Sequence, residues 1–116
     1  MTQEAKELID EFATNVLGQN KSIMAGNSRK GNKHADKYFD CFQQLRKLPG
    51  GREAVSALLD HEDPGVRCVA AACLLKFKTR EAMSTLEELA KGEGLVAFEA
   101  NIVLSNWHDG TWNLDP

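Results

Sequence analysis

The stretch Leu58-Leu59-Asp60-His61-Glu62-Asp63-Pro64-Gly65-Val66-Arg67-Cys68-Val69-Ala70-Ala71-Ala72-Cys73-Leu74 decides the fold. An aspartate before a proline is a helix start: Asp63 can accept from free amides, and Pro64 suits the first helical position, whose N–H has no intrahelical partner. The run that follows, Val66 to Leu75, is apolar nearly all round, which predicts a helix buried between neighbours. Its alanines let those neighbours come close. Just upstream, Val55, Leu58 and Leu59 fall on one face of a short helix over 52–60. Two helices joined by Asp-Pro make a hairpin.

The hairpin is repeated. Arg52-Glu53-Ala54-Val55-Ser56-x-Leu58 matches Arg80-Glu81-Ala82-Met83-Ser84-x-Leu86 at an offset of 28 residues. One inserted residue later, Val66 pairs with Leu95, Ala71 with Ala100 and Leu75 with Leu104. A helix pair recurring at that period means stacked hairpins, each burying its face on the next.

Outward from the repeat, the 3.6-residue period predicts the remaining helices. The first runs from Gln3 to Leu17 with Ala5, Leu8, Ile9, Phe12, Ala13 and Val16 as its stripe and Gly18 as C-cap. The second starts near Ser22 or Asn27, carries the stripe Ala35, Tyr38, Phe39, Phe42, Leu45, and ends at Pro49-Gly50-Gly51. A fifth helix is expected from a Thr79 cap to Lys91, inward at Ala82, Met83, Leu86, Leu89 and Ala90. A sixth is expected from Leu95 to Trp107, inward at Leu95, Phe98, Ile102, Val103 and Trp107. Trp112 and Leu114 in the tail are expected to fold back onto the body. The expected architecture is all-α, an α/α superhelix of about six antiparallel helices in a single domain over 1–116. Its parts are an N-terminal pair (1–48), a first repeat (52–77), a second repeat (79–109) and a tail (110–116).

Residues 58–74 resemble a HEAT repeat, whose pattern places an Asp-Pro turn between helices, then Val-Arg and an Ala-Ala pair. The resemblance implies that Arg67 pairs with nearby acids along the stack while Asp63 caps its helix. It is weaker over 80–107, where Gly92-Glu93-Gly94 replaces Asp-Pro and Val96 replaces the arginine. A wider pattern is similar to the small bacterial family DUF2019: Gly26-Asn27-x-x-x-x-Asn32-Lys33-x-x-Asp36, then the repeat, then Gly-Leu-x-x-Phe-x-Ala-x-x-x-Leu ending in Trp. It implies a bacterial origin and carries no activity. Small HEAT-like proteins also serve as immunity proteins beside secreted bacterial toxins, which is an analogy of fold.

The chain has 116 residues and a net charge of −3, distributed unevenly. Residues 21–47 carry seven basic residues against two acids, whereas residues 81–116 carry one lysine against seven acids. The acidic N-terminus lacks the basic and apolar regions of a signal peptide. No apolar run approaches the ~20 residues of a membrane span. A cytoplasmic location is therefore expected, without membrane attachment. Cys41, Cys68 and Cys73 are odd in number and form no CxxC pair, so packed, reduced thiols are expected.

Residues with reactive chemistry do not converge in the sequence. His34, His61 and His108 fall at separate helix ends, and His61-Glu62 lacks the second histidine of a helical zinc site. His34 and Cys41 lie seven residues apart on one helix, about 10 Å along the axis and too far for a hydrogen bond. Gly26-Asn27-Ser28-Arg29-Lys30-Gly31 resembles a phosphate loop in composition but lacks the Gly-Lys-Ser/Thr end. No catalytic, metal or cofactor residue is assigned, and no cofactor is expected. The expected function is non-enzymatic protein binding, with a toxin domain as one kind of partner. Its contacts are expected on the polar sides of the helices at Asp36, Asp40, Glu62, Glu99, Asn106, Asp109 and Trp112. The alternative is nucleic-acid or anion binding through Arg29, Lys30, Lys33 and Lys37, which recur at helical spacing. A sequence pI of about 5.6 weighs against nucleic acid. The protein is expected to be a monomer or a homodimer, the latter if a second subunit covers the apolar fourth helix.

Overall fold

The computed structural model describes residues 1–114, and every regular element among them is helical. In chain order these are α1 (Gln3–Met24), α2 (Ser28–Lys47), α3 (Gly51–Ser56), a 3₁₀ turn (Ala57–Asp60), α4 (Pro64–Leu74), α5 (Thr79–Ala90) and α6 (Leu95–His108). The last two residues of the predicted tail lie outside the described range. Contacts divide the chain into two units, Met1–Leu58 and the part from Leu59 onward. The division falls inside the hairpin predicted over 52–77, because α3 packs on α1 and α2.

In the first unit, α1 and α2 form an antiparallel pair. The order of their contacts shows it: Ile23 lies by Gly31, Gly18 by His34, and Phe12 by Tyr38, with ring centroids 5.6 Å apart in the last pair. The core is Leu8, Ile9, Phe12 and Val16 from α1, Tyr38, Cys41, Phe42 and Leu45 from α2, and Ala54 and Val55 from α3. Thr2 caps α1, its hydroxyl accepting from the Ala5 amide at 3.1 Å. Asn27 caps α2 in the same way toward the Lys30 amide.

Gly18 does not end α1, which continues to Met24. The glycine is there for space: a β-carbon on it would sit 2.7–2.8 Å from the His34 ring. Gly31 on α2 faces Ile23 of α1, again at close range. These two glycines let the helices approach, and a mid-helix glycine is stabilised by that packing in spite of its poor propensity.

In the second unit, Asp63 caps α4 as expected, its Oδ1 accepting from the amides of Gly65 at 2.8 Å and Val66 at 3.1 Å. Arg67 departs from the expected pairing with acids. Its guanidinium donates to the carbonyls of His61 at 2.7 Å and Glu62 at 3.1 Å, so it ties down the turn in front of its own helix. From Ala70 to Leu75 every residue of α4 and its C-cap is buried. Helix α5 contributes Ala82 and Leu86 to the core, and α6 contributes Ala97, Ala100 and Val103. Thr79 is the first residue of α5 and not its cap, because its hydroxyl donates backward to the Leu75 carbonyl at 2.6 Å. Among the described residues no helix is long and apolar enough to cross a membrane.

Candidate functional site

The side chains on α6 that face inward are the small ones. Ala97 and Ala100 bring its backbone close to its neighbours, and Val103 continues that face. Two of the large apolar residues turn outward: Phe98 is 64% exposed and Ile102 42% exposed. This corrects the expected stripe at Phe98 and Ile102, whereas Val103 is buried as expected and Leu95 and Trp107 are half-buried. Helix α6 is apolar on nearly all sides, so periodicity had no contrast from which to choose the inward face.

Glu99, Ile102, Asn106 and Asp109 follow one another at helical spacings of three or four, so they share a face of α6, with Phe98 one turn before Ile102. Glu99 is partly covered, and that burial pushes its carboxyl above the ordinary range. Its charge faces Cys68 of α4, whose thiol is raised to about 12 by burial and then by Glu99. Asp109 is exposed at the end of the helix. The Asn106 carbonyl accepts from the amides of Thr111 at 2.9 Å and Trp112 at 3.2 Å, which turns the chain back.

Trp112 folds back as expected. Its indole N–H donates to the Ala72 carbonyl on α4 at 2.9 Å, and with Trp107 it lines a cavity of about 290 Å³. Its polar end is therefore already engaged within the unit. The other partner candidates belong to other segments. Asp36 and Asp40 are exposed on α2, with Asp40 accepting from Gln44 at 2.8 Å. Glu62 is exposed in the turn before α4.

The charge at Glu99 has a cost that can be read out. A carboxyl whose folded pKa is raised contributes stability only below its unfolded value, and this is lost as pH rises through the folded value. Glu99→Gln is therefore expected to raise the thermal midpoint at pH 7. The gap should close as pH falls below the ordinary carboxylate range of about 4.3. Melting curves of both proteins from pH 3 to 7 test this. A gap that does not change with pH would place the effect elsewhere.

The four basic candidates come together on α2. Arg29, Lys30, Lys33 and Lys37, with Asn27 and His34, line an open groove of about 420 Å³. Among the described residues none of the four forms an ion pair. His34 is held from below by Asn15, whose Oδ1 lies 2.9 Å from His34 Nδ1. The Asn15 amide nitrogen donates to the Glu11 carbonyl at 2.9 Å, which leaves Oδ1 as the acceptor and assigns the proton to Nδ1. One turn along each helix, the Tyr38 hydroxyl donates to Gln19 at 2.9 Å. The sequence reading missed this polar seam. A mid-helix glycine at position 18, read there as a stop, was the available signal.

Cys41, Cys68 and Cys73 are buried, and none is in a disulfide. Burial, then the charges of Glu11 and Asp40, raises Cys41 to about 11. Cys41 and Cys68 are thus protonated at neutral pH, and a protonated thiol is a poor nucleophile. Among the described residues no three of His, Cys, Asp and Glu are grouped so as to hold a metal.

The fold is all-α, and a crystal structure shares it. RPA1889 from Rhodopseudomonas palustris superposes with a TM-score of 0.87 at 23% identity, covering 100% of this chain and 94% of that one. At that identity the likeness concerns the fold. No family model and no curated protein matches the sequence.

Proposed function

We propose that the protein is a non-catalytic binding module that masks a basic partner protein, as bacterial immunity proteins mask toxins. The proposal includes the HEAT-like and DUF2019 kinship read from the sequence. The observation that carries it is the face of α6, where Phe98 and Ile102 stand in solvent beside Glu99, Asn106 and Asp109. An exposed aromatic next to an aliphatic, rimmed by polar groups, has the make-up of a binding hot spot. Acids dominate its surroundings. Between residues 81 and 114 there are six acids and one lysine, and that lysine, Lys91, pairs with Glu88 at 3.6 Å. Such a field steers a basic partner to the site and speeds the encounter.

The test compares wild type with the double variant Phe98→Ser/Asp109→Lys. Both side chains are exposed, so stability should change by no more than about 0.5 kcal/mol. Partner affinity should fall by ~30-fold or more, the cost of truncating one aromatic hot spot and reversing a steering charge. The partner is first captured from the native cytoplasm on immobilised wild type, then titrated with both proteins. A partner without excess Lys and Arg, or one held equally by the variant, overturns the reading.

A further inference from the structure

We propose that the groove along α2 binds a compact polyphosphate, two or three linked phosphates either free or as the tail of a nucleotide, through Arg29, Lys30, Lys33 and Lys37. This is a second site, independent of the α6 face. From Arg29 to Lys37 the helix rises about 12 Å. Four cations in that length repel one another, and no described carboxylate pairs with any of them. The acids on the same helix, Asp36 and Asp40, are exposed and leave the four unpaired.

The placement also works against the helix. Arg29 and Lys30 sit in the first turn of α2, which has no acidic residue. That end of a helix carries the positive pole of its macrodipole, where cations are unfavourable. A chain with seventeen acids puts none there. A local choice that opposes the fold, without a compensating contact, is a mark of a functional position. A bound anion supplies the missing compensation, and Arg29 in particular can engage phosphate oxygens by two parallel hydrogen bonds.

The groove selects a short ligand. Its volume of about 420 Å³ suits a small molecule, and the lining contains no Phe, Tyr or Trp on which bases could stack. The whole chain, groove included, has a net charge of −3 and would repel a long polyanion.

The experiment is an amide-resonance titration of the full chain with inorganic tripolyphosphate and, separately, with ATP, at low and at physiological salt. Saturable shifts confined to residues 27–37 are expected, with affinity falling steeply as salt rises. In Lys33→Gln/Lys37→Gln, which keeps the helix-forming character of both positions, affinity should fall about tenfold or more. Equal binding of the two probes assigns the site to phosphates alone, and tighter ATP binding assigns it to a nucleotide. The Phe98→Ser/Asp109→Lys variant should bind tripolyphosphate as wild type does, so failure of either site is seen separately. No saturable shift in 27–37, shifts as large around Lys6 and Lys76, or undiminished binding by the double lysine variant each overturn the proposal. So does a single-stranded oligonucleotide that binds more tightly than tripolyphosphate.

Discussion

Gly51→Ala is expected to cost about 3 kcal/mol or more of folding free energy in the N-terminal unit. Gly51 is buried where the chain turns from α2 into α3. A β-carbon there would lie inside the van der Waals envelope of the Leu45 carbonyl oxygen and 2.6 Å from its carbon. These are backbone atoms near the end of a helix, so no rotamer change relieves the overlap. The same turn is fastened by the Gly51 amide donating to Leu48 and the Leu48 amide donating to Leu45, each at 3.0 Å. Its neighbour Gly50 provides the control. It has φ +73° and open space around it, so Gly50→Ala should cost only the ~1–2 kcal/mol of a left-handed alanine. Urea unfolding of the two variants separates the causes. Equal losses would mean that crowding at Leu45 is not the constraint.

Phe42→Ala is expected to cost about 3–5 kcal/mol, the transfer of a buried ring plus the cavity it leaves. Phe42 is fully buried, at 0% exposure, in the core of the N-terminal unit. The Arg46 guanidinium lies 6.0 Å from the ring centre and extends its cover. Phe98→Ala is the matched control, because the same residue type at 64% exposure should change stability by about 0.5 kcal/mol or less. Denaturation midpoints of both variants decide it. If Phe98→Ala destabilises as strongly as Phe42→Ala, then α6 packs through its large residues and the proposed binding face does not exist.

The two phenylalanines show where the sequence was legible. In α2 the apolar residues Tyr38, Phe42 and Leu45 alternate with lysines and acids, so one face announces itself and the structure buries it. In α6 the sequence Leu95-Val96-Ala97-Phe98 offers apolar residues in every direction. Side-chain size, not polarity, settled the matter there: the alanines went in because α6 lies close to its neighbours. The candidate site inherits this difference. Arg29, Lys30, Lys33 and Lys37 were readable as one face from spacing alone. Phe98 and Ile102 read as core residues from spacing, and only the structure shows them exposed.

The residues themselves determined that the chain is helical and where helices start. Asp63 and Pro64 act through bonds to amides two or three residues away, and such local chemistry is written in the order of residues. The tertiary structure decided what depends on distance in space. It showed that Gly18 admits the His34 ring instead of ending α1, that Arg67 turns to carbonyls in place of acids, and that α3 joins α1 and α2. Each outcome rests on how closely two segments approach, and local propensity holds no information about that separation.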